Sequence, residues 1–213
     1  MSWVALTFDA EYPDHPAGPP AQCGALLDSL AAADVRASFF VQGRWASAQP
    51  AEARRIAADG HLVGLHCHSH VPYPWLTDEG VAGDLASGRD AVAEACGADP
   101  APWFRFPYGL GADDRRLLGL VGAAGFRNVH WDADPRDWDP RTHADGLVAL
   151  VCDAAEAGDA VVLLHTWPLV TPEVLPVLLE RLRAIGADLV TVDQLDPAYV
   201  AGLAGTGPAG GLD

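Results

Sequence analysis

The run Val4-Ala5-Leu6-Thr7-Phe8 decides the fold. It is short and apolar, and it passes directly into the acidic residues Asp9 and Glu11. A continuous apolar run of this length is typical of a strand that is buried on both faces of a parallel sheet. Similar runs recur along the chain and predict further strands at 37–41, 61–65, 103–105, 127–130, 160–164 and 188–191.

Helical patterns separate these runs. They predict helices at 21–33, 52–59, 77–96 and 172–184, with Thr77 as an N-cap and with Gly60 and Gly97 as C-terminal stops. Alternation of strands and helices implies an α/β fold of about seven parallel strands with helices outside. The sheet is either open and doubly wound or a small closed barrel, and in both the active site lies where the strands end.

Length and charge set the outer limits. The chain has 213 residues, which fits one domain, predicted at 1–200, and a flexible Gly-rich tail at 201–213. The net charge of −16 argues against nucleic-acid partners and anionic membrane surfaces. All 13 basic residues are Arg, which excludes a lysine Schiff base and a P-loop.

The first residues carry no basic segment followed by an apolar one, and no run of about 18 apolar residues occurs. These features predict a cytoplasmic protein without membrane insertion. The four cysteines form no CxxC pair, so free thiols are expected. No pattern in the sequence indicates an oligomeric state.

Chemically active residues cluster after the predicted strands. Asp9, Glu11 and Asp14 follow the first strand, and His66 and His70 follow the third. Two imidazoles four residues apart suit zinc, iron, cobalt or nickel if the backbone turns between them. Such a metal needs a third, anionic ligand, and the three acids after the first strand are the candidates.

Taken in order, the motifs resemble those of the polysaccharide deacetylases, the NodB-homology domain of carbohydrate esterase family 4. Thr7-Phe8-Asp9 is similar to the start of the TFDD motif, and further similar segments follow at 37–43, 64–70, 105–109, 134–138 and 163–165. The resemblance covers residues 3–193. It implies a distorted (β/α) barrel and a metal-dependent hydrolase that removes an N-linked acetyl group.

The resemblance also implies roles for individual residues. Asp9 would be the general base, and His66 and His70 would hold a divalent metal, zinc first and cobalt or nickel as alternatives. Water on that metal would attack the acetamide carbonyl. His165 would protonate the leaving amine, and Asp137 would orient His165 or pair with the cation of the family motif, which is here Arg105.

Three aromatic residues are expected at the substrate. Trp138 would form a wall of the acetyl pocket, and Trp167 is a candidate because it also follows a strand end. Tyr108 lies in the motif that begins at Arg105. The expected substrate is an acetylated carbohydrate or a small amide, and the predicted cytoplasmic location makes a soluble small substrate at least as good a candidate as a polymer.

One departure from the family pattern concerns the metal. The second Asp of the TFDD motif is normally the metal ligand, and Ala10 stands in its place. Side chains alternate along a strand, so Asp9 and Glu11 are expected to share one side. We expect Glu11 to be the third ligand, with Asp14 or a two-histidine site completed by water as alternatives.

The sequence is also compatible with two other functions. One is an allantoinase-like hydrolase of a small cyclic amide or formamide on the same barrel. The other is a catalytically impaired protein that binds a sugar or a metal, a hypothesis motivated by Ala10.

Overall fold

Seven parallel strands form the central sheet in a computed structural model, which describes residues 2–12 and 22–203. The strands are β1 (Trp3–Ala10), β2 (Ser38–Val41), β3 (Leu62–Leu65), β4 (Trp103–Phe104), β5 (Arg127–Asn128), β6 (Ala160–His165) and β7 (Asp188–Val190). Their order is β5-β4-β3-β2-β1-β6, and β7 also pairs with β1. The sheet therefore contains the parallel strands that the sequence predicts.

The sheet curves into a distorted barrel. One edge of β1 pairs with β6, and the other edge pairs first with β7 and then with β2. After β5, at the far end of the strand order, the chain returns to β6, where Ala133 forms a single parallel bridge with Val162. The Leu163 N–H donates to the Ala133 carbonyl at 2.9 Å. This bridge links the segment after β5 to β6, so the sheet is the predicted distorted barrel rather than an open doubly wound sheet.

Helices cover the outside of the barrel. They are α1 (Cys23–Ala32), α2 (Gly43–Ala48), α3 (Pro50–Ala58), α4 (Asp78–Cys96), α5 (Arg115–Ala123), α6 (Ala144–Ala157), α7 (Val170–Ala184) and α8 (Pro197–Gly202). The structure bears out the signals at the two ends of α4: the Thr77 hydroxyl accepts a hydrogen bond from Gly80 N, and Gly97 is left-handed with a φ of 72°.

Four helices lie outside the predicted set: α2, α5, α6 and α8. The sequence of α5 holds Gly119 and Gly122, and each internal glycine lowers helix stability by about 1 kcal/mol relative to alanine. Packing against the neighbouring α4 compensates for this weak intrinsic preference. Tertiary contacts of this kind are not visible in a local pattern.

The core has two layers. Val4, Leu6, Phe8 and Ala10 belong to the cluster between the sheet and the helices. Ala5 belongs to a second cluster inside the barrel, together with residues of β2, β6 and the C-terminal segment. Side chains of β1 therefore alternate between the helices and the barrel interior, which fixes the direction of the residues that follow.

Several further expectations concern the ends and the cysteines. The four cysteines are free and buried. Asp14 lies outside the described residues, as do positions 204–213 of the predicted tail, whereas Ala201 and Gly202 lie in α8. Over residues 2–12 and 22–203, no helix is long and apolar enough to cross a bilayer.

Candidate metal centre

A carboxylate and two imidazoles converge where β1 and β3 end. Glu11 directly follows β1, His66 directly follows β3, and His70 lies four residues later. The Glu11 Oε2 atom is 2.6 Å from His70 Nε2 and 3.1 Å from His66 Nε2, and the two Nε2 atoms are 3.1 Å apart. Within the described part of the chain, these three buried side chains form the group that is able to surround one ion.

The alternation of β1 explains why Glu11 stands in this group. Ala10 is fully buried in the helix-side layer, so a side chain at position 10 points away from the two histidines. Asp9 and Glu11 lie on the opposite side, where Asp9 Oδ2 is 3.6 Å from His66 Nε2. In this chain the geometry therefore brings position 11, and not position 10, to the histidines.

The hydrogen bonds of His66 fit a metal ligand. Its Nδ1 atom lies 3.0 Å from the Arg105 carbonyl oxygen, and since a carbonyl can only accept, Nδ1 carries the proton. In the neutral ring Nε2 then presents a lone pair to Glu11 Oε2, which is also an acceptor. Two facing lone pairs 3.1 Å apart need a cation or a proton between them, and the backbone contact at Nδ1 is typical of metal-bound histidines.

The carboxyl group of Glu11 is held ionised. Burial raises its pKa, but the interactions with the nearby His70 and His66 together outweigh burial and hold the pKa well below its usual range. An ionised carboxylate with two imidazole nitrogens is a donor set that zinc and neighbouring transition ions accept. The residues present therefore fit a divalent metal.

Asp9 forms a buried ion pair beside this centre. Its Oδ1 atom accepts a hydrogen bond of 2.8 Å from Arg105 Nη1, and the Arg105 side chain is fully buried. Arg105 Nε donates to the Val129 carbonyl at 3.0 Å, which fixes the guanidinium. Burial lowers the pKa of Arg105, and the Asp9 carboxylate opposes that shift. Asp9 Oδ2 remains directed towards the histidines.

Asp137 and His165 form a second buried pair. Asp137 Oδ1 lies 2.7 Å from His165 Nδ1, while Oδ2 accepts from His165 N and from Thr171 Oγ1, each at 2.7 Å. Burial opposes the imidazolium, but the Asp137 carboxylate outweighs it and raises the pKa of His165 to about 9. His165 Nε2 faces the centre, 3.9 Å from Glu11 Oε1. Of the two partners expected for Asp137, His165 lies against it in the structure, whereas the Arg105 side chain donates to Asp9 and to the Val129 carbonyl.

The sequence matches a known protein family. The family model described as polysaccharide deacetylase matches residues 2–129, more than half of the 213 residues. The chain belongs to the polysaccharide deacetylase family. The resemblance drawn from the motifs is thereby confirmed, and the match supports a hydrolase of the deacetylase class.

Individual relatives extend the match. The chain is 37% identical to a chitooligosaccharide deacetylase of Rhizobium leguminosarum bv. trifolii, over 76% of this chain and 70% of that protein. It is 34% identical to a chitooligosaccharide deacetylase of Azorhizobium caulinodans, over 78% of this chain and 74% of that protein. A family 4 carbohydrate esterase from Streptomyces lividans in complex with acetate has the same fold, with a TM-score of 0.80, 27% identity and coverage of 93% of this chain and 95% of that chain.

Of the three aromatic residues expected at the substrate, two lie beside histidines of the centre and the third packs against an arginine. The Tyr108 ring centre is 4.5 Å from that of His70, and Trp167 is 5.9 Å from His165. Trp138 is half-buried, and the Arg136 guanidinium lies 4.8 Å from the centre of its ring. Substrate binding by all three stays a prediction.

Trp167 has a contact that the sequence does not predict. Its indole Nε1 donates to Glu11 Oε1 at 3.3 Å, which leaves Oε2 for the two histidines. We expect Trp167→Phe, which keeps an aromatic ring but removes the N–H donor, to weaken metal binding by about tenfold. Competition with a chromogenic chelator measures this affinity, and Trp3→Phe, at the opposite end of β1, is the matched control.

An unchanged affinity in Trp167→Phe would mean that the indole does not orient Glu11. If only the KM for substrate rose in that variant, the original prediction of Trp167 as a substrate contact would be supported instead.

Thr171 is a site residue that sequence reasoning misses. It lies at the start of α7 rather than after a strand, and its partner Asp137 is 34 residues away. A threonine early in a helix is common, so no local signal separates this one from others.

Proposed function

We propose that this chain is a metal-dependent N-deacetylase that releases acetate from an acetylated amino sugar or a related amide. One observation carries the proposal: the cluster of Glu11, His66 and His70 lies between a carboxylate, Asp9, and a histidine with a raised pKa, His165. Hydrolysis of an amide needs a group that takes a proton from water and a group that protonates the departing nitrogen.

A divalent metal at Glu11, His66 and His70, zinc first and cobalt or nickel as alternatives, would polarise the acetyl oxygen and lower the pKa of water. Asp9 supplies the base. Arg105 occupies its Oδ1 atom, so Oδ2 takes the proton of the attacking water as the new C–O bond forms.

His165 supplies the acid. Asp137 engages its Nδ1 atom, so the proton available to the substrate is on Nε2, which faces the centre. With a pKa of about 9, this imidazole is protonated at neutral pH and gives its proton to the nitrogen when the C–N bond breaks. The products are acetate and a free amine, so atoms and charge balance.

The relatives support a carbohydrate as the substrate, because two of them are named chitooligosaccharide deacetylases. Tyr108, Trp138 and Trp167 offer aromatic surfaces on which a sugar ring can stack. The cytoplasmic location stays a prediction, and so does the preference for a soluble substrate that was drawn from it.

The alternative functions have less support. Ala10 motivated the hypothesis of an impaired binding protein, and the position of Glu11 beside both histidines supports a three-ligand metal site instead. The allantoinase-like hypothesis has no relative in its favour among the matches described above.

An acetate-release assay tests the proposal. The protein is stripped with a chelator, reloaded with zinc, cobalt or nickel, and offered N-acetylglucosamine oligomers beside small cyclic amides and formamides. We expect metal-dependent release of acetate from the acetylated sugars. Metal-independent release would contradict the mechanism, turnover confined to cyclic amides or formamides would favour the allantoinase-like function, and no turnover with a bound metal would favour the impaired binding protein.

A further inference from the structure

Asp84 of α4 organises the loop that carries the two histidines. Its Oδ2 atom accepts hydrogen bonds from His68 N at 2.8 Å and from Tyr73 Oη at 3.0 Å. Its Oδ1 atom accepts from Ser69 N at 3.1 Å and from Ser69 Oγ at 2.5 Å. The Asp84 carboxylate therefore accepts four hydrogen bonds from residues 68–73. This segment begins between His66 and His70 and continues beyond His70.

This segment needs such a restraint because its backbone is strained. Cys67 and His70 have φ values of 57° and 60°, in the left-handed region that residues with a side chain rarely adopt. The His70 N–H turns back to Cys67 Sγ at 3.1 Å. The two strained residues flank His68 and Ser69, whose backbone N–H groups Asp84 binds. The turn between them brings the Nε2 atoms of His66 and His70 to within 3.1 Å of each other.

Helix α4 is in direct contact with the same loop at a second position. A Cβ atom at Gly88, one turn beyond Asp84, would lie 3.0 Å from the backbone C and O atoms of Cys67. The backbone of α4 therefore packs directly against the loop. Close packing at Gly88 fixes the distance between α4 and the loop, and the hydrogen bonds of Asp84 span the same two elements.

We propose that Asp84 is a positioning residue of the metal centre, whose two carboxylate oxygens hold the His66–His70 loop in the conformation that lets both imidazoles reach one ion. The inference rests on the proposed metal site and deepens it. The hydrogen bonds of Asp84 go to His68, Ser69 and Tyr73 rather than to a ligand side chain, so it acts through the backbone at His68 and Ser69.

An asparagine at position 84 cannot replace the carboxylate. Each oxygen of Asp84 faces one backbone N–H and one hydroxyl. A hydroxyl can rotate to accept from an amide NH₂, but a backbone N–H only donates. In either orientation of the amide, the N–H of His68 or of Ser69 loses its acceptor and faces another donor.

The test compares Asp84→Asn with Asp90→Asn, which makes the same change at an exposed position of α4. Zinc affinity is measured by chelator competition, and the visible absorption spectrum is recorded with the site saturated by cobalt. We expect Asp84→Asn to bind zinc about 10- to 100-fold more weakly and to change the cobalt spectrum. Asp90→Asn should match the unaltered protein in both measurements.

Tyr73→Phe guards against a variant that fails to fold. It removes one of the four hydrogen bonds and keeps the ring that packs against Phe104 and Phe106, so a smaller loss of zinc affinity in the same direction is expected. Equal affinity and an identical cobalt spectrum in Asp84→Asn would overturn the inference while the metal site stands. An unaltered protein that binds no zinc or cobalt would overturn the metal site, and this inference with it.

Discussion

His70→Ala is expected to empty the metal centre and to abolish measurable acetate release. His70 Nε2 is the nitrogen nearest to Glu11 Oε2, at 2.6 Å, and its loss leaves a pair of ligands. Zinc sites with four ligands have apparent binding free energies of about 10–16 kcal/mol. Divided equally among the four ligands, this is roughly 3 kcal/mol for each ligand. Removal of His70 should therefore weaken zinc binding by about two orders of magnitude. Elemental analysis after dialysis measures the metal content.

The control for this loss is His143→Ala, which removes an exposed histidine just before α6. It should keep full metal content and activity. Metal content that is unchanged in His70→Ala would show that the centre lies elsewhere.

A parallel pair of variants decides between the acidic ligands. We expect Glu11→Gln to lose metal, because the neutral amide is a poorer ligand than the carboxylate. Asp14→Asn should not lose metal. If Asp14→Asn loses the metal and Glu11→Gln keeps it, Asp14 is the third ligand. The position of Glu11 beside the histidines would then have no role in metal binding.

The location of the site could be predicted because it follows from topology. The carboxyl ends of parallel strands meet at one edge of a barrel, so Asp9, His66 and His165 had to lie near one another once the strands were recognised. The side of the sheet that Glu11 faces followed from the period of two along β1. Both rules are local or topological, and both operate on a single sequence.

The partners within the site could not be predicted in this way. Arg105 is 96 residues from Asp9, and Trp167 is 156 residues from Glu11. Such contacts depend on the rotamer of each side chain and on the conformation of each loop after its strand. The spacing of residues in the sequence determines neither of these. For the same reason Asp137 was open to two partners until the geometry assigned it to His165.

The organising role of Asp84 was hidden for a related reason. Its helix was predicted, but a helix pattern states only which face is buried, and Asp84 lies at the border of that face. The strained loop that it supports could not be recognised from the sequence either. Glycine is the usual sign of a left-handed residue, and the two left-handed positions of this loop are Cys67 and His70.

Asp9→Asn is expected to keep the metal and to lower acetate release by about two to four orders of magnitude. The asparagine oxygen can still accept from Arg105 Nη1, but the amide cannot take a proton from water. The variant also leaves the fully buried Arg105 without its counter-charge, a change that costs about 3–5 kcal/mol in comparable buried pairs. Loss of activity alone would therefore not separate the base from the ion pair.

The double variant Asp9→Asn with Arg105→Gln separates the two effects. It removes both charges and allows a neutral hydrogen bond between the two side chains, so much of the lost stability should return. If Asp9 is the base, acetate release stays low in the double variant, although its melting temperature rises above that of Asp9→Asn and its metal content equals that of the unaltered protein. If release recovers together with stability, the carboxylate serves only to balance Arg105, and the proton of the attacking water must go to another group.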